Sequence, residues 1–162
     1  MMKWKEKLAE MLPLLGHRNW ILVVDKAYPL QSASGITTLY AAEPITKVLE
    51  HTLSAVRGAD HIRPVIYMDR ELSFIDEELC KGVNDLKQQY AAATEGLQVN
   101  SLLHDDIFPK LDAASKLFSV LAIKTDCLIP YSSIFIELDC GYWDAERENF
   151  LRDIISRALL KT

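Results

Sequence analysis

The segment Trp20–Val24, WILVV, is five apolar residues with no polar interruption, and three of them, Ile21, Val23 and Val24, are β-branched. A strand with one wet face alternates apolar and polar side chains, so an unbroken run of this kind needs cover on both faces. The remaining chain must then supply helices to both sides, which predicts an α/β fold, a layered sandwich with a mixed, largely parallel sheet covered by helices. With 162 residues, of which 49% are hydrophobic, there is material for one such core. Residues 1–162 are therefore expected to form a single domain.

The flanking segments fit that scheme. Residues 4–15 carry Trp4, Leu8, Met11, Leu12 and Leu15 at helical spacing, with Pro13 expected to make the last turn irregular and Gly16 expected to end it in a left-handed conformation. Strands are predicted over 36–40, 65–68, 97–103 and 134–138. A proline-led helix follows Pro44 and stops at Gly58, a second is predicted over 76–92 with Leu79 facing inward, and a third over 106–122, starting late because of Pro109. Residues 145–162 end in an amphipathic helix bearing Phe150, Leu151, Ile154, Ile155, Ala158 and Leu159 on one face, an added C-terminal extension.

Charge and motifs exclude several function classes. The 18 lysines and arginines are scattered along a chain of net charge −5, which argues against a surface that tracks nucleic acid. No apolar run approaches the roughly 18 to 20 residues of a membrane span, and the N-terminal MMKWKEKLAEML is amphipathic rather than a basic start before an apolar stretch. A cytoplasmic protein is expected. Cys80, Cys127 and Cys140 lack C-x-x-C spacing and are expected to be buried free thiols. There is no G-x-G-x-x-G, P-loop or G-x-S-x-G element and no pair of histidines at i, i+4, so neither a metal nor another cofactor is expected.

Chemistry then falls to a few residues. Asp25 closes the first core strand, where an α/β sheet presents polar groups to ligands, although an aspartate there also caps turns. His17 lies in the loop before that strand, as a catalytic group or as a partner of a helix C-terminus. His104 follows another strand and doubles as the polar entry to a helix. Tyr131, Ser132 and Ser133 offer a phenol and two hydroxyls suited to a polyhydroxylated ligand, or simply a turn. Asp69-Arg70-Glu71 reads as a solvated turn or surface ion pair, and His51 and His61 as surface residues.

Together, LLGHRNWILVVDKAYP resembles the N-terminal signature of the ribose pyranase and fucose mutarotase family: L-G-H, a few polar residues, an apolar strand, D, then a proline. ITTLYAAEPITKVLEHTL looks like that family's short strand and proline-led helix, and TDCLIPYSSIFIELDCG like its Tyr-small-Asn segment and final strand. The resemblance runs over roughly residues 8–141. It implies that His17 is the proton-donating acid, that Asp25 and Tyr131 bind sugar, and that His104 matches a later binding position. Ser133 stands where the family has asparagine, Lys26 where a small residue is usual, and the terminal helix lies beyond the family's usual end.

A family member interconverts anomers or ring forms of a free monosaccharide by general acid-base catalysis, with no cofactor. It works in homo-oligomeric rings, commonly decamers of two pentamers, with sites near subunit boundaries. Read this way, His17 and Asp25 are expected beside one sheet end, the carboxylate orienting the imidazole or binding a sugar hydroxyl. The competing readings are a non-catalytic sugar-binding or regulatory protein of the same fold and an assembly protein acting through its last helix.

Overall fold

A computed structural model describes residues 3–161. Its strands are β1 (Trp20–Val24), β2 (Ile36–Tyr40), β3 (Ile62–Asp69), β4 (Gln98–Leu102), β5 (Val120–Lys124) and β6 (Ile134–Cys140). Its helices are α1 (Lys3–Met11), α2 (Ile45–Arg57), α3 (Val83–Ala93), α4 (His104–Leu117) and α5 (Ala145–Leu160). The strands form one sheet in the order β2-β5-β1-β6-β3-β4. Pairing is parallel for β1 with β5, β2 with β5, and β3 with β4, and antiparallel where β6 meets β1 and β3. Five strands thus run one way and β6, inserted between β1 and β3, runs the other.

The expected layering holds. β1 is buried along its whole length and splits its side chains between two cores. Ile21 and Val23 join Trp4, Leu8, Leu49, Leu53, Val83 and Tyr90 on the face covered by α1, α2 and α3. Trp20, Leu22 and Val24 join Tyr28, Ile107, Leu111 and Phe135 on the face covered by α4. Each fully buried aliphatic or aromatic side chain here is worth about 1.5–3 kcal/mol relative to exposure. Glycine is required at Gly141, where a Cβ would lie 2.6 Å from the Asp60 carbonyl oxygen.

Several local expectations are corrected. The first helix does turn irregular at Leu12–Leu14, but the left-handed residue is Arg18 (φ 76°), not Gly16. α3 begins at Val83, seven residues later than the periodicity suggests. Before it, Asp76 and Glu77 accept backbone N–H bonds from Leu79, Gly82 and Asn84, and Leu79 is exposed. α4 starts at His104 and contains Pro109, and Leu121 lies in β5, a strand that begins inside the predicted 106–122 helix. His61 is half-buried, its Nε2 against the carbonyls of Leu12 and Leu15, and His51 packs edge-on against Trp4. The cysteines are free, as expected, but half-buried.

α5 is the exception to the packing. Not one of its residues is buried. No helix among the described residues is long and apolar enough to cross a membrane.

Candidate functional site

Because β6 alone is inverted, the carboxyl ends of β1, β3, β4 and β5 and the start of β6 lie at one end of the sheet. That end collects Asp25 after β1, Asp69 at the end of β3, His104 after β4, and the Tyr131–Ser133 segment before β6. The Ser133 hydroxyl donates to Asp25 Oδ1 at 2.8 Å, and the Asp25 backbone N–H faces the same hydroxyl oxygen at 3.2 Å. His104 places Nδ1 3.0 Å from Asp69 Oδ2. Its ring meets Tyr131 and Phe108 edge-on, with centroids 5.7 and 4.7 Å away. Four of the five residues singled out in the sequence therefore converge.

Local structure explains the placement. Tyr131 takes a left-handed conformation (φ 56°), which turns the chain sharply between Pro130 and β6. This turn tucks Ser132 into the core, where it donates to the Ile129 carbonyl, while the buried Tyr90 hydroxyl donates to the Ser132 carbonyl at 2.6 Å. Tyr131 itself stays half-exposed over His104. The start of α4 is fixed by Glu71, whose two carboxylate oxygens accept the His104 backbone N–H at 3.0 and 3.1 Å. A carboxylate at a helix N-terminus also meets the positive end of the helix dipole.

Asp69 is the residue that sequence reading missed. The expected solvated turn is instead a carboxylate whose side chain is 1% exposed, with Oδ1 buried and without a hydrogen-bond partner. Burial pushes its pKa up to about 6, and the neighbouring Glu71 and Asp25 carboxylates push the same way against the pull of His104. Burial, with Asp69 and Asp25 beside it, likewise pushes the Tyr28 phenol up to about 12. The available signal was positional: Asp69 closes a strand just as Asp25 does.

His17 is elsewhere. It precedes β1, and its Nδ1 lies 2.9 Å from Asp139 Oδ1 near the far end of β6, with Arg63 on the other Asp139 oxygen at 2.6 Å. The expectation that His17 and Asp25 share one sheet end is corrected: Asp25 meets Ser133 before β6 and His17 meets Asp139 six residues later, a separation of about 20 Å along a strand. Partial burial works to raise the Asp139 pKa, but the Cys140 N–H, Arg63 and His17 outweigh it and hold the carboxyl below its usual range. His17 lines an open hollow of about 640 Å³ together with Arg63, Trp143, Asp144 and Glu148.

Lys26, the other departure from the family pattern, points away from the cluster to Asp126 and Tyr40 at the protein surface. Among the described residues no group of three or more His, Cys, Asp or Glu side chains is arranged to hold a metal ion.

No family model and no curated protein matches the sequence. Solved structures do. RbsD of Bacillus subtilis, crystallised with D-ribose, superposes with a TM-score of 0.56 at 16% identity, covering 82% of this chain and 91% of that one. The fucose mutarotase of Streptococcus pneumoniae, in complex with L-fucose, gives 0.54 at 18% identity over 82% and 91%. FucU of Bifidobacterium longum gives 0.54 at 12% over 83% and 94%. The chain has the fold of these proteins. The six-stranded sheet and its helical cover are thus shared with the structures that the two end motifs of the sequence resemble.

Proposed function

We propose that the protein is a monosaccharide mutarotase of the ribose or fucose type. It interconverts anomers or ring forms of a free sugar in the cytoplasm, without metal or other cofactor. Residues 1–162 act as one mutarotase-like domain, with 145–162 a helical extension. The observation that carries this reading is the convergence of Asp25, Ser133, His104 and Tyr131 at one sheet end, in a fold whose neighbours are crystallised with D-ribose and L-fucose.

Ring opening removes a proton from the anomeric hydroxyl and adds one to the ring oxygen, so one base and one acid suffice. With Nδ1–H donated to Asp69, neutral His104 presents Nε2 as a lone-pair acceptor for the anomeric proton. Asp69 is here a positioning residue, which holds the tautomer. Asp25 keeps Oδ2 for a sugar hydroxyl while Ser133 occupies Oδ1, and the half-exposed Tyr131 ring beside His104 offers its hydroxyl as a further partner. The acid is His17 of a neighbouring copy. Its Nδ1 is held by Asp139, its side chain is 56% exposed, and its distance from Asp25 prevents it from serving its own chain's cluster. A ring-shaped homo-oligomer, a decamer in the family that the sequence resembles, brings one copy's His17 end to the next copy's cluster.

A second reading has an observation of its own. His17 is tied to Asp139 about 20 Å from the sugar cluster, so a chain that does not assemble this way would bind sugar without catalysis.

Saturation-transfer NMR of anomeric exchange on ribose, fucose, galactose and glucose separates the two. Exchange above the buffer rate on one sugar, abolished in folded His17→Ala, is the expected result. Sugar-dependent thermal stabilisation with exchange at the buffer rate would establish the binding protein instead.

A further inference from the structure

The C-terminal helix is held at its base and left bare along its length. Asp144 caps it by accepting the Arg147 N–H at 2.8 Å. The Trp143 indole donates to Glu148 at 2.7 Å, and Arg147 donates to the Tyr142 carbonyl at 3.1 Å. The helix runs 16 residues in all, about 24 Å, with no buried side chain. Phe150 is 69% exposed, Ile154 48% and Ile155 37%, on a stripe that repeats every four residues. An open hollow of about 760 Å³ lies along this face between Trp143, Phe150, Leu151 and Ile154. A helix of this length is marginal in water without a packed face, and the body of its own chain does not provide one.

Its charges say what does. α5 carries three acidic residues, Glu146, Glu148 and Asp153, and three basic ones, Arg147, Arg152 and Arg157, so it is neutral on a chain of net charge −5. A membrane-surface helix would carry an excess of basic residues, and a helix for a strongly charged partner an excess of one sign. Here the signs are graded instead. Arg147, Arg152 and Arg157 pair along the chain with Asp144, Glu148 and Asp153, yet the start keeps a net acidic balance, Asp144, Glu146 and Glu148 against Arg147, and the end a basic one with Arg157 and Lys161. Two such helices side by side and antiparallel set each acidic start against the other's basic end, with the apolar stripes facing. That arrangement is two-fold symmetric and closes on itself.

We propose that α5 pairs antiparallel with α5 of a second copy of this chain, doubling whatever assembly the sheet body forms. The apolar stripe of Phe150, Ile154 and Ile155 is separate from the Asp25–His104 cluster, although the base of α5 borders the hollow that His17 lines. Light scattering and sedimentation equilibrium on the purified full chain should give twice the mass found for Ile154→Glu at the same concentration.

The charge gradient gives the second measurement. Chains carrying Arg157→Glu with Lys161→Glu, or Glu146→Lys with Glu148→Lys, should each show the halved mass alone and recover the doubled mass when mixed one to one. Equal masses for the wild type and all variants overturn the proposal, as does a mass lost in both charge variants and not recovered in the mixture.

Discussion

The two ends of the sheet hold the same pair of residues in opposite circumstances. At one end His104 meets Asp69, whose side chain is 1% exposed and whose pKa is raised; at the other His17 meets Asp139, 29% exposed, with a pKa lowered by Arg63 and the Cys140 N–H. Both imidazoles are gripped through Nδ1 and both keep Nε2 for other work. What differs is the cost of charge. At the His17 end the carboxylate is kept anionic, with a guanidinium on its second oxygen. At the His104 end burial makes the Asp69 carboxylate costly to charge. The proposed donor and acceptor thus lie at opposite ends of the sheet, about 20 Å apart, and the proposed reaction needs a second copy to bring them together.

The strongest way to break it is to disable each end in turn. His17→Ala and His104→Ala should each slow anomeric exchange on the order of 10²- to 10⁴-fold, read by saturation transfer. If the donor serves a neighbour's cluster, mixing the two inactive variants after dissociation and reassembly should restore part of the rate, because some boundaries then hold an intact His17 facing an intact His104. No recovery in mixed assemblies that form normally would remove the shared-site reading.

The pH dependence of stability should carry opposite signs at the two ends. Asp69 binds its proton more tightly folded than unfolded, so its contribution is present at low pH and is lost as pH rises from about 4 to about 6. Asp69→Asn should flatten that slope, a change on the order of 2 kcal/mol in denaturant titrations at pH 4 and pH 7. Asp139, with a lowered pKa, contributes stability above the usual carboxylate range and loses it as pH falls. Asp139→Asn should therefore cost about 0.5–1 kcal/mol at pH 7 and nothing once the wild-type carboxyl is protonated. Parallel slopes for the two variants would dissolve the contrast.

The smallest effect concerns the entry to α4. Glu71→Gln weakens the acceptor on the His104 N–H and should cost up to about 1 kcal/mol of stability, with a modest rise in sugar KM as the ring loses its fixed start. An unchanged KM beside an unchanged denaturation midpoint would show that Asp69 alone sets His104.

What the sequence disclosed depended on how local each feature is. β1 and α2 were legible because an unbroken apolar run, and a proline-led stripe ended by glycine, are complete signals in themselves. β5 was not, since Leu111, Ala114, Leu117 and Leu121 keep helical spacing across a chain that leaves the helix at Phe118. The four apolar residues Val120–Ile123 are too short a run to separate strand from helix. Asp25, His104, Tyr131 and Ser133 could be proposed from their places at strand ends and from the motif at each end of the chain. Asp69 shared that place at a strand end, but its burial was hidden because it comes from distant neighbours: His104, 35 residues on, covers it, and Tyr28 and Asp25 approach from the far side of β6. The split between His17 and Asp25 was hidden for a related reason. Eight residues look close in a sequence, and along a strand they span the sheet.

β6 acts as a ruler. Ser133 stands just before its first residue and Asp139 near its last, so the spacing between the Asp25–Ser133 and His17–Asp139 contacts is counted in residues of one strand. Adding two residues would keep every side chain on its present face and lengthen the span by about 6.6 Å. In the proposed ring, the distance each copy must bridge would then be set by the length of one central strand as much as by the surfaces that touch.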